Sequence, residues 1–248
     1  MSAIPAPPTP VVDRSLHVGR FGALGVMAGI VLSGPLAIAV VEAVAPQPPW
    51  SGAATYAAHF SPLQVLPYVA GLLLVSASVA LVAGAALAAR PERRGRALMA
   101  LVLAAVFATM IIVNYTVQLA LVPALVASGD PRHHVLLDLL SMGNPTSLAW
   151  ALEMVGYGVL GVATWLVAPI MADLGSRWAA RAFVANGVTS VAGAVWTALD
   201  PGWEMSPLGL VVFAAWNVVL FVAAALARPV FRPGAAGRDG AFALPSSA

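Results

Sequence analysis

Residues 97–127 read ALMALVLAAVFATMIIVNYTVQLALVPALVA, 31 consecutive residues without a charged side chain. About 20 apolar residues in helical conformation cross the roughly 30 Å hydrocarbon core of a bilayer. The stretch therefore predicts a transmembrane helix that is longer than it needs to be and that either tilts or ends at Pro123. Its polar members, Asn114, Tyr115, Thr116 and Gln118, are bunched toward one end, while Arg90, Arg93, Arg94 and Arg96 precede the other.

Five more stretches qualify by the same length argument, giving predicted spans at 21–44, 65–89, 97–127, 148–174, 178–199 and 208–227. The composition agrees: 60% of the 248 residues are hydrophobic, 9% are charged and the mean hydropathy is +0.91. Ordinary soluble domains carry about 25% charged residues. The predicted fold class is all-α, a polytopic bundle of six transmembrane helices.

Arginine sets the expected orientation, because short cytoplasmic flanks accumulate basic residues and short exported loops do not. Of the twelve basic residues, all arginine, eleven fall before span one, between spans two and three, between four and five or in the first turn of five, or after span six. Only Arg132 falls on the other side. Six spans with both termini cytoplasmic, in the cell membrane, is the arrangement that keeps this alternation. The expected organisation is a disordered cytoplasmic tail over 1–20, a transmembrane domain over 21–228 and a second disordered tail over 229–248, the ends being rich in Pro, Ala, Gly and Ser. Ala43-Val44-Ala45 follows an apolar run much longer than a signal-peptide core of about 7–15 residues, so it predicts an uncut first span.

Several function classes are closed by residue type. The chain has no cysteine and no lysine, which excludes thiolate metal sites, thiol nucleophiles and Schiff-base attachment. The arginines are dispersed through loops rather than gathered on one face, so no nucleic-acid partner is expected. No HExxH, GxSxG, P-loop or dinucleotide glycine motif occurs. The predicted exported loops carry His59, Asp130, His133 and His134 without a recognised metal-ligand spacing. No metal and no cofactor is expected. The same loops contain a predicted amphipathic piece over 135–140, and Asn144-Pro145 reads as the cap and first residue of the fourth span. Trp150, Trp196 and Trp203 are expected at the interface as an aromatic belt.

Small residues four apart, Gly25, Gly29 and Ser33 in the first span and several glycines around Gly158 and Gly161 in the fourth, predict close helix packing, with a kink at Ser33-Gly34-Pro35. The functional signal lies in the polar residues of spans three to six: Asn114, Tyr115 and Gln118; Glu153 and Tyr157; Asn186 and Ser190; Trp216 and Asn217. Counted at about 1.5 Å per residue from the ends of their helices, Glu153, Gln118, Tyr157, Asn217, Asn114 and Asn186 share a layer about 9–20 Å deep. A charged residue at such depth costs about 2.5–3.5 kcal/mol on insertion scales, so Glu153 needs partners, and Gln118, Tyr157, Asn186 and Asn217 are the expected donors.

The runs Asn114-Tyr115-Thr116-Val117-Gln118, Asn144-Pro145 leading to Trp150, Leu152-Glu153, Gly156-Tyr157 and Asn186-Gly187 together resemble a group of bacterial six-span membrane proteins with no known activity. The resemblance covers most of spans three to six and implies the fold without a chemistry. In size, and in having an acid within an apolar interior, the chain also resembles membrane-embedded terpene cyclases, which protonate an isoprenoid substrate. Three readings follow. In the first, spans three to six form a polar pocket for a small apolar or amphipathic molecule, with Glu153 as its focus. In the second, the chain is a non-catalytic scaffold or subunit whose polar groups only join helices. In the third, Glu153 is a catalytic general acid on a lipid or isoprenoid. Membrane lipids are partners in all three.

Overall fold

The computed structural model describes residues 10–232, and the expected tails over 1–9 and 233–248 lie outside them. Every regular element among the described residues is helical, and six helical segments are long and apolar enough to cross a membrane. In chain order the α-helices are α1 (Pro10–Val31), α2 (Ala37–Val44), α3 (Ala53–His59), α4 (Leu66–Leu87), α5 (Arg94–Thr116), α6 (Val122–Ser128), α7 (His134–Leu140), α8 (Leu148–Asp173), α9 (Arg177–Leu199) and α10 (Pro207–Ala227). Residues 10–20, expected as tail, are helical and extend α1. The end of this stretch is packed against the bundle, where Gly19 lies directly against Gly84 and Phe231.

Two spans are broken by π turns, each beside a proline. In the first, α1 passes into α2 through Leu32–Leu36, with Pro35 inside the turn and the Ala37 N–H donating to Leu32 O, five residues back. In the third, α5 passes into α6 through Val117–Leu121, just before Pro123, and the Val122 N–H donates to Val117 O. Proline has no N–H for the ordinary bond and its ring crowds the carbonyl four residues back, so one widened turn lets the helix continue. The third span accordingly runs on to Ser128 instead of ending at Pro123. Serines cap three of the other spans: the Oγ atoms of Ser147, Ser176 and Ser206 accept from the N–H groups of Trp150, Ala179 and Gly209. Ser147, not Asn144, starts α8. Asn144 instead accepts from the Thr146 N–H at 3.1 Å and donates to Asp138 O.

The spans form a ring in which each packs on its sequence neighbours, α10 returns to α1, and α4 also touches α8 across the middle. Burial of apolar surface does not drive helices together in lipid, so close backbone approach and hydrogen bonds must do so. On the α1–α4 seam, Gly22 and Gly29 sit against the Leu81 and Leu74 backbones and Gly25 against Ala77. On the α8–α9 seam, Gly158 faces Ala194 and Gly161 faces Ser190 and Gly187. Outward faces remain apolar, with Leu98, Val102 and Val113 of α5 and Leu208, Val211 and Val218 of α10 exposed. At the arginine-rich end Arg93 Nε meets Asp173 Oδ2 at 3.0 Å, tying the loop before α5 to the end of α8.

Candidate functional site

Glu153 lies on α8 facing α5 and is only 6% exposed. The Tyr115 hydroxyl donates to Oε1 at 2.8 Å, and Asn114 Nδ2 donates to Oε2 at 3.1 Å. The donors therefore come from two consecutive residues of α5, not from Gln118, Tyr157, Asn186 or Asn217 as depth alone suggested. Shared depth says nothing about which helix faces which, and α8 packs its Glu153 face on α5.

Gln118 acts one step removed. Its Nε2 donates to Leu140 O at 2.8 Å while its Oε1 accepts from the Met142 N–H at 3.0 Å. A backbone carbonyl on one side and a backbone N–H on the other permit only one orientation of this amide. Gln118 Nε2 then meets Asn114 Oδ1 at 3.4 Å, which turns Asn114 Nδ2 toward Glu153 and Ala149 O. The loop before α8 thus sets the orientation of the carboxyl group's partners through two side-chain amides. Both carboxyl oxygens face donors. Among the described residues no basic side chain pairs with Glu153, since the ion pairs are Arg93–Asp173 and Arg132–Asp130.

The carboxyl group borders a chamber of about 330 Å³. Of the residues expected at the site, Tyr115, Glu153, Tyr157, Trp216 and Asn217 line it. Gln118 lines instead a second, outer cavity of about 630 Å³ on the loop side, and the two cavities share Tyr68, Met142 and Met205 in their walls. Asn114 is buried behind Glu153. Asn186 and Ser190 are not in the wall: Asn186 sits on the α8–α9 seam with Nδ2 on Thr164 Oγ1 at 3.3 Å, and Ser190 accepts the Trp216 indole N–H at 2.7 Å. Ser190 thereby fixes a ring that does line the chamber. Asn217 borders the space, yet its Nδ2 donates to Phe213 O within its own helix.

The first two spans also contribute, which an account confined to spans three to six left out. Ser33 and Gly34 of the π turn, Ile38 of α2, and Pro67 and Tyr68 of α4 close one side. The widened turn at Pro35 carries Gly34 to the chamber wall, and a Cβ on Gly34 would meet open space. Aromatic rings make up much of the rest. Tyr157 and Trp216 meet edge to face at 4.8 Å between centroids, Phe213 and Trp216 lie 5.7 Å apart, Trp150 and Phe213 6.4 Å, and Tyr68 and Tyr115 5.6 Å. Tyr68 was legible as a polar side chain early in an apolar span; Met142 and Met205, loop residues, carried no signal.

The outer cavity is bounded by the loop containing Trp50 and α3, where Trp50, Tyr56 and Phe60 form a ring-to-ring run at 5.5 and 5.8 Å. Burial pushes the Tyr56 hydroxyl above its ordinary pKa, against the opposing effect of a hydrogen bond to Ser141. Two of the loop histidines have ordinary partners: His133 Nδ1 lies 2.7 Å from Ser128 Oγ and His59 Nδ1 3.0 Å from Thr55 O. No group of three His, Cys, Asp or Glu side chains converges among the described residues. Trp203 is 4% exposed, stacked on Trp196 and donating to Thr197 Oγ1 at 2.8 Å, so it is a buried brace and not part of an interfacial belt.

No family model, curated protein or solved structure matches this chain. Any functional reading therefore rests on the chamber itself.

Proposed function

We propose that this chain is a cell-membrane protein, with both termini in the cytoplasm, that binds one small amphipathic molecule in the chamber beside Glu153. The observation that carries this reading is a carboxyl group in the wall of a space of about 330 Å³ whose other walls are mostly aromatic and apolar. Small-molecule sites have this character: a volume of about 300–1,000 Å³, apolar walls and a few fixed polar groups. A scaffold that used its polar side chains only to join helices would have them close on one another, as Asn186 and Thr164 do. Glu153, Asn114 and Tyr115 also join α5 to α8, but they do so at the edge of an open space.

An acid catalyst would need its proton directed at substrate, whereas both Glu153 oxygens here face donors, which suits an acceptor. Binding is accordingly favoured over isoprenoid protonation. The reading is tested by mass spectrometry of small molecules extracted from the purified protein. Wild type is expected to carry one retained species that is lost in Gly34→Phe, a substitution that adds a bulky ring at the chamber wall. Identical extracts from both proteins would reject the binding reading.

A further inference from the structure

We infer that the molecule held beside Glu153 is an organic cation, an ammonium group bearing an apolar substituent. This rests on the binding reading above and adds the ligand's charge. Glu153 is a nearly buried carboxyl group with a donor on each oxygen and no basic partner among the described residues. Within a bilayer an ionised carboxylate without a countercharge is costly, and a cationic ligand supplies that countercharge.

The walls suit the same ligand. Aromatic faces attract ammonium groups, most strongly away from water. Tyr68, Tyr115, Tyr157, Trp150 and Trp216 all border the chamber. The chain has twelve arginines, yet among the described residues neither the chamber nor the outer cavity has an arginine or histidine in its lining. The outer cavity adds a second carboxylate, the exposed Glu42. An anion entering this way would meet carboxyl groups, neutral amides and apolar or aromatic side chains, and no cationic group among the described residues. A cation meets the exposed Glu42 in the outer cavity, aromatic residues in the walls of both cavities and Glu153 in the inner wall.

The test compares two molecules of one shape. Benzyltrimethylammonium and neopentylbenzene differ in a charged nitrogen against a neutral carbon. Their binding to the full chain in lipid nanodiscs is measured by equilibrium dialysis, with empty nanodiscs subtracting partition into lipid. Wild type is expected to bind the cation at one site per chain, at least about tenfold more tightly than the neutral isostere. Glu153→Gln is expected to bring the two within about threefold. Tyr68→Leu is expected to weaken the cation about three- to tenfold and leave the isostere unchanged, as loss of one ring face predicts. This second variant keeps the test decisive if Glu153→Gln does not fold.

Equal binding of both molecules to wild type, or equal weakening of both by Tyr68→Leu, would overturn the cation inference while the chamber remained a binding site. Binding of neither molecule to wild type would overturn the chamber reading as well.

Discussion

The Tyr115 hydroxyl donates to Glu153 Oε1 at 2.8 Å, joining the third span to the fourth at the edge of the chamber. Removing either partner has a different cost. Tyr115→Phe deletes one donor and is expected to lower stability by about 1 kcal/mol. Glu153→Leu strands the tyrosine hydroxyl and leaves Asn114 Nδ2 with Ala149 O as its remaining oxygen acceptor, and is expected to cost about 1–3 kcal/mol. The double variant should cost less than the two combined, since they share one interaction. Thermal or denaturant unfolding in detergent measures all three, and strict additivity would show that the two groups do not interact.

Gln118 should act as the link between the loop and the site. Gln118→Leu removes the donor to Leu140 O and the acceptor for the Met142 N–H, and frees the Asn114 amide to turn. The expected loss is about 2 kcal/mol, with faster hydrogen exchange at the Met142 amide. Unchanged exchange there would mean that the loop is held by other contacts.

Two glycines should respond unequally to one added methyl. A Cβ on Gly84 runs into the Gly19 backbone, which cannot give way as a flexible side chain can, whereas a Cβ on Gly34 meets nothing. Gly84→Ala is expected to destabilise by about 1–3 kcal/mol, and Gly34→Ala to stay within about 0.5 kcal/mol of wild type. Unfolding midpoints of the two variants in the same detergent decide the matter.

The absence of cysteine makes orientation simple to test by labelling. Ser51 and Gly95 are exposed at opposite ends of the bundle. A membrane-impermeant maleimide is expected to label Ser51→Cys in intact cells, and Gly95→Cys only after permeabilisation. The reverse pattern would invert the orientation drawn from the arginines.

How much of this was readable in advance differs from residue to residue. The six spans follow from run length, and the cluster of Asn114, Tyr115 and Glu153 was visible as polar side chains in apolar runs. The partners of Glu153 were not visible, because at similar depth Gln118, Asn186 and Asn217 were equally eligible. Pro35 announced a distortion, but not that the widened turn would bring Gly34 to the wall of a chamber. Asn186 and Ser190 sit on the same stripe of α9, yet one binds Thr164 and the other holds Trp216.

By itself, then, the sequence determined that the chain is a six-span helical protein carrying an acid within its apolar layer. Those properties depend on local quantities, namely the length of uncharged runs and the cost of placing a charge in hydrocarbon. Only the tertiary structure decided that α5 supplies the donors to Glu153, that spans one and two complete the chamber and that Asn186 stays outside it. Helix rotation and neighbour choice come from packing between segments distant in sequence. In lipid such packing turns on small residues and hydrogen bonds whose partners no single helix reveals.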